Sequence, residues 1–340
     1  MADAAASGRQ SRRDASGRPV RLAARSSALL AAVSLLGVVA FVWPFLLHGD
    51  AAAAQAHAGD APWVFIAMLP LLLAVVLAEL SEGALDAKAV AVLGILAACG
   101  AALRVPSPGV AGFEPVFFLL IPAGRVLGRG FGFVLGALTL AVSALVTGGV
   151  GPWLPFQMFG AAWIGFGAGC LPPARGRREI GLLAAYAAVA GLAYGALLNL
   201  WFWPFGAGGA SQLSFVPGGG VLANLHRYLL FDLTTSLGFD LPRAATTVVL
   251  VLVLGRPVLA ALAVFSFLGA WNQYLWPLLV TGNDNSVRTV QIGLKQLVNT
   301  QIDQINVSLA GTIIAVVPLL ILLVVFQKQL VRSLTSGAVK

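Results

Sequence analysis

An all-α integral membrane protein, a polytopic helical bundle, is the fold class that three observations predict. Hydrophobic residues make up 59% of the chain and charged residues only 10%, against about 25% charged in a soluble globular domain. The apolar residues are gathered into runs close to the ~20 residues that a helix needs to cross a hydrocarbon core. Lys and Arg cluster in the short polar segments between those runs, the arrangement that orients membrane helices. A soluble protein needs a polar surface however large its core, so a charge deficit of this size points to the bilayer as solvent.

Reading apolar runs between charges and turn residues gives about 10 transmembrane helices, at 27–47, 62–79, 88–103, 113–128, 131–148, 154–172, 179–203, 240–256, 258–281 and 306–327. The first run follows an arginine-rich segment and resembles a signal peptide in that respect. Its uncharged core is longer than the usual 7–15 residues of such signals, so it reads as a retained span. Residues 1–26, rich in Ala, Arg, Ser and Gly, read as a disordered basic tail. With the N-terminus in the cytoplasm and the spans alternating, 16 of the 21 Lys and Arg fall inside. Arg104, Arg227, Arg243, Arg288 and Lys295 fall outside. The positive-inside rule therefore favours an N-in/C-in bundle.

Composition also excludes function classes. The net charge of +8 is not a nucleic-acid signature, because no basic stripe is interleaved with aromatics. Cys99 and Cys170 sit in or at the end of apolar runs and read as buried structural thiols. The histidines, His48, His57 and His226, are scattered, so no metal site is expected. None of the four lysines follows a glycine, which leaves no Gly-Lys-Ser/Thr phosphate loop. With no nucleophile–base constellation, neither an enzyme nor a resident cofactor is expected.

Two motif series divide the chain. The first runs over about 28–260 through Gly112-Phe-Glu-Pro-Val-Phe-Phe-Leu-Leu120, Gly130-Phe-Gly-Phe-Val-Leu-Gly136 and Gly148-Gly-Val-Gly-Pro-Trp-Leu-Pro-Phe-Gln-Met158. It continues in Asn199-Leu-Trp-Phe-Trp-Pro-Phe205 and Leu252-Val-Leu-Gly-Arg-Pro257. Together these resemble the substrate-specific (S) components of energy-coupling factor (ECF) transporters. The resemblance implies a six-helix membrane core over 27–259 that captures a vitamin or related micronutrient from outside. It also implies partners: a transmembrane coupling subunit and two ATPase subunits.

The second series begins near Ala260. Phe265-Ser-Phe-Leu-Gly-Ala-Trp-Asn-Gln-Tyr-Leu-Trp-Pro277, Arg288-Thr289, Gly293-Leu294 and Ala310-Gly-Thr312 resemble the last two spans of sugar-type ABC importer permeases. The Glu-Ala-Ala…Gly motif with which such permeases dock on their ATPase does not precede it. Residues 260–340 thus read as a permease C-terminal fragment joined within Gly255–Leu262, with a polar loop at about 282–305. Two alternatives stand beside the S-component reading: a carbohydrate ABC permease subunit, and a non-functional fusion.

A capture site needs a few polar groups in an apolar cavity, and the topology gathers candidates near the outer face. Glu114 opens the fourth span, Trp153 and Gln157 the sixth, and Asn199 and Trp201 close the seventh. Each has a plainer role. Tryptophans at span ends anchor at the interface, and amides one turn inside the membrane bond to neighbouring helices. Glu114 has Arg104 as a partner across the loop, and Asp240 has Arg243 three residues on. On the inner side Ala74 and Ala78 form a small-xxx-small face suited to close contact with a coupling subunit.

Overall fold

The computed structural model describes residues 24–46, 74, 87–105, 110–151, 153–206, 211–271, 278, 289–300 and 305–335. Among the described residues there are ten α-helices and no strand. They are α1 (Ala24–Leu46), α2 (Ala87–Arg104), α3 (Val116–Leu127), α4 (Arg129–Thr147), α5 (Leu154–Cys170), α6 (Arg177–Gly206), α7 (Val221–Thr235), α8 (Leu237–Trp271), α9 (Val290–Thr300) and α10 (Ile305–Thr335). A 3-10 turn, Val110–Gly112, precedes α3. The expected all-α membrane bundle is what the chain forms. Among the described residues three stretches are long and apolar enough to cross a membrane: Arg129–Thr147, Arg177–Pro204 and Leu237–Val264.

The chain forms two compact units, one spanning Val20–Arg256 and the other including Pro257–Lys340. In the first unit the core is α3, α4 and α5, which meet backbone to backbone. A methyl group placed on Gly165 would lie 2.1 Å from the Gly132 carbonyl oxygen, and one on Gly136 would lie 2.2 Å from that of Ala161. In hydrocarbon no hydrophobic force drives helices together, so such small-residue seams are how they gain dispersion contact. Gly148 closes α4 in the left-handed region (φ 66), its N–H bonded to the Ala144 carbonyl, as a C-terminal glycine cap does. Pro155 sits in the first turn of α5, where its missing N–H costs nothing.

α1 lies against α5 and α6. Phe41 meets Phe156 edge-on at 5.1 Å and Trp163 at 5.6 Å. The Trp163 indole donates to Ser34 Oγ at 3.3 Å. At the C-terminal end of α6, Trp203 is fully buried against Tyr228 and Phe231 of α7. Its indole N–H donates to the Leu213 carbonyl at 2.7 Å. In the second unit α9 packs on α10, with Ile292 buried. Trp271 donates to the Ala315 carbonyl of α10 at 3.2 Å.

Several expectations are corrected. The spans at 240–256 and 258–281 are not separate, because α8 continues from Leu237 to Trp271. Gly255-Arg256-Pro257 reads locally as a break, yet membrane helices tolerate Gly and Pro where local adjustment re-satisfies the freed backbone groups. The span at 113–128 shortens to α3 with 12 residues, roughly 18 Å against a core of about 30 Å. The loop expected at 282–305 contains helix α9. Cys99 and Cys170 are exposed rather than buried, since an apolar position on a membrane helix can face lipid as well as protein. The span at 62–79 lies outside the described residues apart from Ala74; of the tail expected at 1–26, residues 1–23 lie outside them and Ala24–Ser26 already belong to α1.

Candidate functional site

α6 and α8 run antiparallel in register, and the register builds a polar site. Gly191 faces Ala244, Gly195 faces Asp240, and Asn199 faces Ser236 just before α8. Each step moves one turn forward on α6 and one turn back on α8. The two glycines are spaced four apart and leave room for charged side chains at the seam. A methyl on Gly195 would overlap the Asp240 carboxylate.

Within that room sits a buried ion cluster. Arg243 Nε donates to Glu114 Oε2 at 2.5 Å, and Nη1 donates to Asp240 Oδ1 and, at 3.3 Å, to the Gly191 carbonyl. Arg104, from the end of α2, approaches Glu114 Oε1 at 3.7 Å. All four side chains are less than a tenth exposed. The Arg243 guanidinium also lies 5.3 Å from the centre of the Tyr194 ring, and Phe117 meets that ring edge-on at 4.7 Å. Two cations and two carboxylates balance, which is the condition under which charges survive burial. The balance of hydrogen bonds is incomplete. Arg104 Nε, the Tyr194 hydroxyl, Thr139 Oγ1 and Ser143 Oγ are buried without a partner among the described residues. Thr139 packs at Gly100 of α2, and Ser143 and Arg104 follow one turn on along each helix.

One turn along lies a second polar layer. Asn199 Nδ2 donates to Asp232 Oδ1 at 2.7 Å and to Ser236 Oγ, and the Tyr228 hydroxyl donates to the Ala196 carbonyl. Burial, with the charges of Asp232 and Asp240, holds the Tyr228 phenol above its ordinary range, so it is a neutral donor. Asn224 caps the neighbouring loop through the Val216 N–H at 3.1 Å and carbonyl at 2.9 Å.

The expected site residues therefore divide. Glu114 pairs with Arg104 as anticipated, and the Asp240–Arg243 pair forms, but Arg243 additionally ties that pair to Glu114. Asn199 is taken up in bonds between α6 and the α7–α8 corner. Trp153 stands 45% exposed at the start of α5, its indole bonded to the Gly149 carbonyl at 3.1 Å. Gln157 is half-buried one turn on. Trp201 stacks on Phe202 and meets Phe156, the neighbour of Gln157, at 4.9 Å. Trp153 and Gln157 thus stand at the start of α5 and Trp201 meets that helix through Phe156, while Glu114 belongs to the ion cluster. Ala74 is half-buried, and Ala78 lies outside the described residues. Sequence reasoning missed Tyr194 and the Gly191/Gly195 pair. The Gly-Leu-Ala-Tyr-Gly spacing was the available signal.

Relatives carry the decision that the geometry cannot. The chain is 39% identical over 84 residues to the arabinooligosaccharides transport system permease protein of Halalkalibacterium halodurans, covering 25% of this chain and 30% of that protein. It is 32% identical over 85 residues to the corresponding Bacillus subtilis permease, again 25% of this chain and 30% of the relative. With the sn-glycerol-3-phosphate transport system permease of Yersinia pestis it shares 36% over 90 residues, 26% of this chain and 32% of the relative. Over about a quarter of its length, the chain is homologous to ABC transporter permeases. It spans only about 30% of the length of these relatives. No family model matches the chain, and no solved structure does. Permease relatives and long apolar helices together make this a multi-pass protein of the bacterial plasma membrane. The comparisons hold no support for an ECF component or a vitamin ligand over 28–260.

Proposed function

We propose that the chain is a membrane subunit of an ABC-type importer, with a carbohydrate-permease segment at its C-terminal end. The observation that carries this reading is the 39% identity over 84 residues to an arabinooligosaccharide permease. A match of that length suits the stretch from about 260 onward, where Phe265–Pro277 and Ala310–Thr312 bear the permease motifs. Its cargo on this reading is a sugar or sugar-sized polyol phosphate, and its partner an ABC ATPase. The test is to purify the tagged full chain from its native membrane and identify bound ATPases. Proteoliposomes of the complex are then assayed for ATP hydrolysis with arabino-oligosaccharide or sn-glycerol 3-phosphate. An ABC ATPase should co-purify. A chain that emerges with no ATPase would sink the importer reading.

A second reading concerns residues 28–260 and is favoured by the separate compactness of Val20–Arg256. On it this unit captures a small ligand as an S component does. Trp153, Gln157 and Trp201 supply ligand contacts, and Ala74 and Ala78 meet a coupling subunit. Glu114 and Asn199 shape the site through their ion pair and interhelical bonds rather than by touching ligand. The two readings part on one point. A permease brings its ATPase directly, whereas an S component brings it only through a separate membrane coupling subunit. A non-functional fusion brings neither.

A further inference from the structure

The turn between α5 and α6 carries a basic cleft that neither reading uses. Pro173, Ala174, Arg175, Arg177 and Arg178 line a cavity of about 540 Å³. The three arginines are exposed, and among the described residues no carboxylate lies within ion-pair reach of them. The acid next in sequence is already committed. Arg125 of α3 grips Glu179 with two bonds, Nε to Oε1 at 2.6 Å and Nη2 to Oε2 at 3.1 Å. The same guanidinium donates to the carbonyls of Leu171 at 2.6 Å and Pro172 at 2.9 Å. Arg125 therefore fixes the start of the turn and engages the neighbouring acid, leaving Arg175, Arg177 and Arg178 on a held loop with no carboxylate partner among the described residues.

Position decides what they meet. α6 starts at Arg177 and its apolar stretch runs from there to Pro204, with Ile180 and Leu183 already buried. The arginines therefore stand where a membrane helix leaves the hydrocarbon, at the depth of lipid phosphates. The first N–H groups of α6 add partial positive charge at the same place. Guanidinium groups bind phosphate oxygens in bidentate fashion, and basic pockets at this depth suit anionic headgroups. The geometry points to a binding site for the phosphate headgroup of one anionic phospholipid in the cleft of Arg175, Arg177 and Arg178. A cavity of about 540 Å³ has room for a phospholipid headgroup.

The experiment is native mass spectrometry of the full chain in detergent, with phosphatidylglycerol or phosphatidylcholine of the same acyl chains added. The wild-type chain should retain one phosphatidylglycerol at least tenfold more tightly than phosphatidylcholine. The triple variant Arg175→Gln/Arg177→Gln/Arg178→Gln should lose that preference. The corresponding three Arg→Lys changes should keep most of it, and Arg227→Gln, on α7 near the far end of α6, should leave it intact. If the triple variant does not fold, Arg178→Gln alone should weaken retention at least threefold. Unchanged preference in the folded variants overturns the site. Binding of free glycerol phosphate as tightly as the lipid would make it a soluble-phosphate site and overturn the lipid assignment. So would a variant that keeps its lipid and instead loses a co-purifying protein.

Discussion

Arg243 and Glu114, 129 residues apart in sequence, are joined at 2.5 Å with both side chains less than a tenth exposed. The bond ties the loop before α3 to the first turns of α8, and through Asp240 and the Gly191 carbonyl it reaches α6 as well. Breaking it from one side leaves a buried charge without its partner, which typically costs about 3–5 kcal/mol. Glu114→Ala should therefore lower the thermal unfolding midpoint in detergent sharply. Glu114→Leu with Arg104→Leu should be less harmful than Glu114→Ala alone, because it strands no charge and leaves the Arg243–Asp240 pair in place. A double variant as damaged as the sum of the singles would show that the pair is not acting as a unit.

The α4–α5 seam makes a second expectation. A methyl group on Gly165 meets the Gly132 backbone oxygen at 2.1 Å, and backbone cannot swing aside as a side chain does. Overpacking of this kind costs about 1–3 kcal/mol. Gly165→Ala should destabilise the protein by that order, whereas Gly181→Ala, where nothing lies within 4 Å, should not. Equal behaviour of the two variants in thermal unfolding would contradict the backbone-to-backbone seam.

On the capture reading of the first unit, ligand contact at the start of α5 rests on Trp153 and Gln157. Trp153→Ala and Gln157→Ala should each weaken uptake or binding by about 1–3 kcal/mol with membrane abundance unchanged. Asn199→Ala should instead lower stability, since its amide holds Asp232 and Ser236. Measured affinities that stay at wild-type level in both α5 variants would move the site elsewhere.

The unit boundary falls between Arg256 and Pro257, inside α8. A chain ended at Arg256 should insert, remain monodisperse in detergent and keep the ligand affinity of the full chain. Loss of the folded peak on size exclusion would mean that the residues after Pro257 complete the first unit.

The sequence by itself determined the solvent and the helical class. A 10% charged composition with apolar runs near 20 residues has few other solutions, and local spacing made the Asp240–Arg243 pair and the Arg104–Glu114 partnership legible. It also carried a resemblance to ABC permeases, which relatives bear out over about a quarter of the chain. What it did not determine were features that depend on the register between distant helices. Only the tertiary structure sets Gly191 against Ala244 and Gly195 against Asp240, and so converts a local pair on α8 into a four-residue ion cluster. Whether an apolar position such as Cys99 meets protein or lipid was likewise undecidable from hydropathy, because the bilayer and the protein core are equally apolar and only packing tells them apart.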